Sequence, residues 1–261
     1  MAADSFSPSS DSTFILVHGG WHGAWCWNKV VPLLKAKGCK VIAPDLPGQG
    51  NDKTQPATVT LNEYVEKVVE VANEQKGKVI LSGHSSGGTV IAQAAEYLSP
   101  AKVTRLVFLD AFMPLDGESV FSLVNKYQNT EDGKKGSLLS ESMIFSDDQK
   151  TCTLNLEKVQ QLLYHDCRPE DVVFAKENLG GQPIAALAMA VNLTDHSYGR
   201  IPKYYILCTD AHDFDKSKVA LHVPCEKIYR LKSSHSPFFS MPDKLAEILD
   251  EIQTFSDVAV S

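Results

Sequence analysis

The five residues Gly83-His84-Ser85-Ser86-Gly87 constrain this chain more than any other feature. They separate a short apolar run, Lys78 to Ser82, from a stretch of helix-forming composition, Ser86 to Leu98. A Gly-x-Ser-x-Gly between a buried strand and a helix forms a strained turn that lifts the serine hydroxyl clear of the backbone. The flanking glycines fit this reading, because a Cβ at either place would meet the element packed against the turn. An incidental Gly/Ser turn is the bland alternative, and the placement between a β-like run and a helix argues against it. Ser85 is the candidate nucleophile.

The elements around this turn alternate. Thr13 to Val17 is a continuous apolar run closed by His18-Gly19-Gly20, as in a buried parallel strand. Trp25 to Lys37 carries apolar residues at helical spacing and stops at Gly38. Lys40 to Ala43 reads as a strand followed by the turn-rich Pro44 to Gly50. Leu61, Tyr64, Val68, Val71 and Ala72 mark a second helix, and Val103 to Leu109 the next strand. The strand–helix rhythm predicts a mostly parallel, doubly wound α/β sheet.

The rhythm breaks at Pro114. Short helical candidates at 119–127, 155–164 and 168–178 are separated by polar turns such as 129–136, then strands resume at 204–208 and 226–231. A closing amphipathic helix carries Leu245, Ile248, Leu249 and Ile252. The expected organisation is one domain over 1–261, with a core of 13–114 and 200–255. A helical cap of about 115–199 should cover the sheet edge where open α/β sheets bind ligands.

Composition narrows the class. A net charge of −7 with no basic stripe argues against nucleic acid as a partner. No apolar run approaches the ~18 residues that span a bilayer, so no membrane partner is expected. The six cysteines lack the spacing of a metal or redox site and read as reduced thiols. The polar N-terminus lacks a basic and an apolar region and reads as a frayed tail rather than a secretory signal. The expectation is a cytoplasmic protein; a homodimer is compatible with the sequence.

A serine hydroxyl needs a base and a group that orients the base. His235 directly follows the strand at 226–231 and is the one histidine so placed; the alternative is a loop-capping residue. His22, His165, His196 and His222 read as surface or structural. For the acid, Asp210 lies two residues beyond the strand at 204–208 and is favoured, with Asp213 close behind. Asp215 and Asp110 are more distant candidates. Oxyanion donors are expected from the Ser86 amide at a helix N-terminus and from the Gly19-Gly20 loop, where Gly20 N–H is the better placed.

The run His18 to Trp27, the run Ala43 to Gly48 and the Gly-His-Ser-x-Gly-Gly motif resemble the plant methyl esterase/hydroxynitrile lyase family of α/β-hydrolases and its bacterial esterase relatives. The resemblance covers roughly 13–114 and 201–253. It implies an α/β-hydrolase fold whose sheet begins directly at 13–17, a cap over an apolar acyl pocket, and site roles for Ser85, His235, Gly20 and Ser86. Two departures bear on the reaction. The lyases carry a threonine where Gly19 stands and a lysine where Ser236 stands. A third concerns the acid, whose common family place holds Ala211, between Asp210 and Asp213.

The expected activity is a serine carboxylesterase acting through a Ser-His-Asp triad and an acyl-enzyme. Its partner would be a small, largely apolar ester, methyl esters among the candidates, and no metal or cofactor is implied. The alternatives are a hydroxynitrile lyase or other C–C cleaving enzyme, and a non-catalytic small-molecule receptor.

Overall fold

Strands that are apolar on both faces have to be covered twice, and this governs the architecture. The structure, a computed structural model, describes residues 12–128 and 138–255. The main sheet opens with β1 (Thr13–Val17), β2 (Lys40–Ile42), β3 (Val79–His84) and β4 (Val103–Leu109). An insertion contributes β5 (Met143–Phe145), β6 (Thr151–Leu154) and β7 (Gln182–Pro183), and the main sheet resumes with β8 (Lys203–Cys208) and β9 (Lys227–Leu231). Its six strands are all parallel, in the order β2-β1-β3-β4-β8-β9.

The helices are α1 (Val30–Ala36), α2 (Leu61–Glu74), α3 (Gly87–Lys102), α4 (Val120–Gln128), α5 (Leu138–Ser142), α6 (Val159–Leu163), α7 (Pro169–Asn178), α8 (Ile184–Ala188), α9 (Pro237–Ser240) and α10 (Pro242–Thr254). Alternation along each strand sorts the core into two layers. Ile15, Val17, Leu81 and Phe108 pack with Tyr64 and Val68 of α2 and with Val90 and Ala94 of α3. Phe14, Leu16, Ile80 and Val107 pack with Leu34 of α1 and with Leu245 and Leu249 of α10. Helix α2 begins with a reciprocal cap: Thr60 N–H donates to Glu63 Oε2 at 2.7 Å, and Asn62 N–H donates to Thr60 Oγ1 at 3.2 Å.

Three features differ from the sequence reading. The expected helix over 25–37 divides into a 3-10 turn, Ala24–Trp27, and α1. Trp25 stacks on Phe239 and Trp27 meets Phe238 edge-on, and these ring contacts hold the tight turn in place. Helix α3 is broken at Ser99, with φ 66°, just beyond the expected end at 98; Pro100 then starts a further turn. The insertion holds the antiparallel sheet β5-β6-β7, whose strands are too short to leave a period-two pattern. The N-terminal tail up to residue 11 and the polar turn at 129–136 lie outside the described residues.

The parallel arrangement brings the C-terminal ends of β3, β4, β8 and β9 to one edge, beneath the insertion. Close backbone packing there is exacting. A Cβ on Gly88 would lie 2.1 Å from the Phe112 carbonyl oxygen, in the segment that follows β4. Gly88→Ala should therefore destabilise the fold by about 2 kcal/mol, the usual scale of overpacking. Thermal melts should read this as a Tm lower by roughly 4–8 °C.

Candidate active site

Ser85 occupies the turn between β3 and α3 with φ 53°, in the left-handed region. Three backbone hydrogen bonds hold it there: Ser85 N–H to Leu109 O (3.2 Å), Phe112 N–H to Ser85 O (3.0 Å) and Gly88 N–H to Ser85 O (3.1 Å). The flanking glycines are required by contact. A Cβ on Gly83 would sit 2.5 Å from Gly87 O, and one on Gly87 2.7 Å from His18 O.

His235 follows β9 and is buried. His84, the residue before Ser85, donates Nε2–H to the His235 carbonyl at 2.9 Å, and the two imidazole centroids are 4.4 Å apart. Asp166, from the insertion, accepts the Ser234 amide at 2.8 Å and fixes the loop from the other side. His235 Nδ1–H points at Asp110 Oδ2 at 2.6 Å, the length of a charge-assisted bond.

The structure sets Asp110, rather than the favoured Asp210, against His235. Asp210 is half exposed, its carboxylate 3.6 Å from His165 Nε2. Its amide still pairs with Ser233 O, extending the β8–β9 ladder, and its side chain leaves toward solvent. Asp213 comes closer, with Oδ1 3.5 Å from His235 Nδ1. Asp110, which ends β4, makes the short contact. It is anchored by its own amide to Ile206 O at 2.7 Å and by Cys208 N–H to its Oδ1 at 3.2 Å. Both Asp110 and Asp210 stand at strand ends, and β8 is the nearer neighbour of β9, so what separates them is the direction of the side chain, which strand position does not give.

Lys216 was not anticipated; in a loop rich in charge it looks like any surface lysine. Its side chain is fully buried, with Nζ 2.5 Å from Asp213 Oδ2 and 3.2 Å from Asp110 Oδ2. Burial would raise the Asp110 carboxyl, but the Lys216 ammonium and the bond from His235 outweigh it and hold the carboxyl below its usual range. Burial likewise pulls Lys216 down, and the two carboxylates more than offset it, so the lysine stays charged.

The loop after β1 lies against the turn at Ser85. A Cβ on Gly19 would meet Ser85 Cβ at 2.7 Å, so Gly19 serves the packing, while one on Gly20 would be 3.6 Å from Ser86 Oγ. Among the described residues the amides of Gly20 and Ser86 donate to no protein acceptor, which leaves them available to an anion beside Ser85. Trp21, with φ 63°, is clasped by the insertion at three atoms. Its amide donates to Gln182 Oε1 (3.3 Å), its indole to Cys152 O (3.0 Å), and its carbonyl accepts from Gly180 N–H (2.8 Å). Tyr164 O–H adds a 2.7 Å bond to His22 Nε2. Of the two roles open to His22, surface or structural, its burial fits the second.

Ser85 and Ser86 open onto an apolar cleft enclosing about 510 Å³, its mouth included, walled by residues such as Trp21, Phe112, Phe121, Val124, Met143 and Leu187. Among the described residues two groups could in principle hold a metal ion. Asp110, Asp213 and His235 lie close enough, but the Lys216 ammonium already occupies their centre. His165, Asp210 and His212 also cluster, yet the two imidazoles stack 3.9 Å apart at 12°, and one ion cannot lie in both ring planes.

Comparison with known proteins agrees with this architecture. The chain belongs to the alpha/beta hydrolase family, whose model matches residues 14–248. Within it the chain falls in the branch of the plant methylesterases. It is 33% identical to putative methylesterase 11, chloroplastic, of Arabidopsis thaliana over 93% of this chain and 64% of that protein. It is 31% identical to methylesterase 3 of the same plant over 91% of this chain and 94% of that protein. The chain thus spans less than two thirds of some relatives, including 56% of putative methylesterase 13. Among solved structures, polyneuridine aldehyde esterase superposes with a TM-score of 0.79 at 28% identity, covering 92% of this chain and 98% of that one. A pyrethroid hydrolase from Sphingobium faniae JZ-2 gives 0.82 at 25%, covering 93% and 97%.

The buried histidines carry a pH consequence. Burial lowers His18 to about 4 and His22 to about 3, so both stay neutral in the fold. Each unfolds to a residue that binds a proton near pH 6.5, so stability is full above that pH and declines as pH falls toward the folded values. Melts between pH 7.5 and 4.5 should show Tm falling with acid, and His22→Gln should flatten that slope by one histidine's share.

Proposed function

We propose that this chain is a serine carboxylic ester hydrolase, acting on a small, largely apolar ester through Ser85, His235 and Asp110. The observation that carries the reading is the buried 2.6 Å His235–Asp110 contact set beside the strained Ser85 turn. Asp110 holds the Nδ1–H tautomer, which leaves Nε2 as the base. Ser85 Oγ attacks the ester carbonyl as Nε2 takes its proton, and the imidazolium that forms is stabilised by Asp110. The Gly20 and Ser86 amides receive the developing oxyanion, with the start of α3 adding its dipole. The proton then passes to the departing alcohol, and water, deprotonated by the same imidazole, releases the acid.

The apolar walls of the cleft support an uncharged, hydrophobic ester, and the methylesterase relatives support a methyl ester. Cyanohydrin cleavage is disfavoured. Lys216 is the cation nearest His235, but it is buried on the Nδ1 side and does not line the cleft, so it cannot hold a leaving cyanide. We assign the protein to the cytoplasm, a reading that its free cysteines support. Among the described residues no helix is long and apolar enough to cross a membrane.

Hydrolysis of p-nitrophenyl butyrate and of methyl esters of apolar acids tests the assignment. Ser85→Ala should lower kcat by about 10⁵–10⁶ and Asp110→Asn by about 10³–10⁴. Asp210→Asn should stay within about twofold, as expected for a solvent-facing carboxylate. Near-normal turnover by Ser85→Ala would refute the reading.

A further inference from the structure

The triad accounts for Asp110 and leaves a second buried carboxylate and a buried ammonium unexplained. Placing either alone beside a catalytic imidazole is unfavourable. A lone lysine would oppose the imidazolium, and a lone second carboxylate would compete with Asp110 for a proton. Together they cancel. Asp213 and Lys216 sit three residues apart in one loop, joined at 2.5 Å, with side chains at 4% and 0% exposure. The pair touches the triad at three points: Lys216 Nζ bonds Asp110 Oδ2 at 3.2 Å, the oxygen that accepts from His235, and lies 3.4 Å from His235 Nδ1, while Asp213 Oδ1 lies 3.5 Å from the same nitrogen.

We propose that Asp213 and Lys216 are positioning residues for the ester hydrolysis, a neutral ion pair that pins the Asp110 carboxylate while leaving one net negative charge to stabilise the imidazolium of His235. The inference rests on the triad reading above. Lys216 supplies the clamp, donating to the Asp110 oxygen that the imidazole uses. Asp213 supplies the compensation, so that the clamp does not lower the basicity of His235.

The charged and titratable groups facing His235 support this division. From β4 comes Asp110, and from the 209–218 loop Asp213 and Lys216. From the end of β3 and the loop after β1 come His84 and His22, both held neutral by burial. From the insertion comes Asp166, which meets the backbone of Ser234. The remaining close neighbours of Lys216 Nζ are the rings of Phe112 and Phe214, at 5.8 and 5.9 Å, which shield the pair from water.

Charge variants read by the acid limb of kcat/KM test the proposal. Asp213→Asn leaves the lysine uncompensated. It should cut kcat/KM about 100-fold and move the limb to lower pH by about one unit. Lys216→Met leaves two carboxylates and should move the limb the opposite way, to higher pH. The double variant Asp213→Asn/Lys216→Met restores the net charge. It should regain at least tenfold over Asp213→Asn, with the limb within about 0.3 units of the parent. Melting curves and labelling of Ser85 with a fluorophosphonate count the folded sites; if Asp213→Asn does not fold, the upward limb of Lys216→Met and the recovery in the double variant carry the test. Singles that behave as the parent, limbs that move the same way, or a double variant no better than its worse parent would overturn the proposal. Failure of the triad reading looks different: Asp110→Asn would stay active whatever happens at 213 and 216.

Discussion

The structure around the site depends on how closely backbones approach one another at Ser85. A non-glycine residue in the left-handed region is held by hydrogen bonds from the end of β4 and the segment after it, and it is flanked by glycines that leave no room for a Cβ. That contact sets the separation of β1, β3 and β4 at their C-terminal ends. The loop after β1, the Ser85 turn and Asp110 all take their places from it.

Electrostatics is the second organising element. Asp110, Asp213, Lys216 and His235 are buried together behind the cleft, away from its mouth. Charges so placed are weakly screened, and each is tolerable only because the others are present. The histidines nearby are kept neutral by burial, His18 and His22 each donating Nδ1–H to a carbonyl of the loop after β1. The site thus holds several imidazoles as fixed dipoles in the scaffold and one, His235, set directly against carboxylates.

Much of this was legible from residues alone. The six strands of the main sheet follow apolar runs, and Ser85, Gly20, Ser86 and His235 follow motifs tied to strand ends. Which aspartate meets His235 was not legible: β8, not β4, is the strand beside β9, so strand order favours Asp210, and only the folded side chains show Asp110 turned toward the imidazole and Asp210 toward solvent. Lys216 could not be distinguished from a solvated lysine, since its burial is a property of the folded 209–218 loop. The small antiparallel sheet of the insertion escaped notice because two to four residues per strand carry no periodicity.

The clasp on Trp21 bears on how molecules come and go. The insertion holds the amide, carbonyl and indole of a residue adjoining Gly20, so it cannot swing outward as a hinged door without dragging the loop beside Ser85 out of register. Entry and exit are then confined to a fixed slot between apolar walls. Its width, rather than any opening rate, selects among bulky guests.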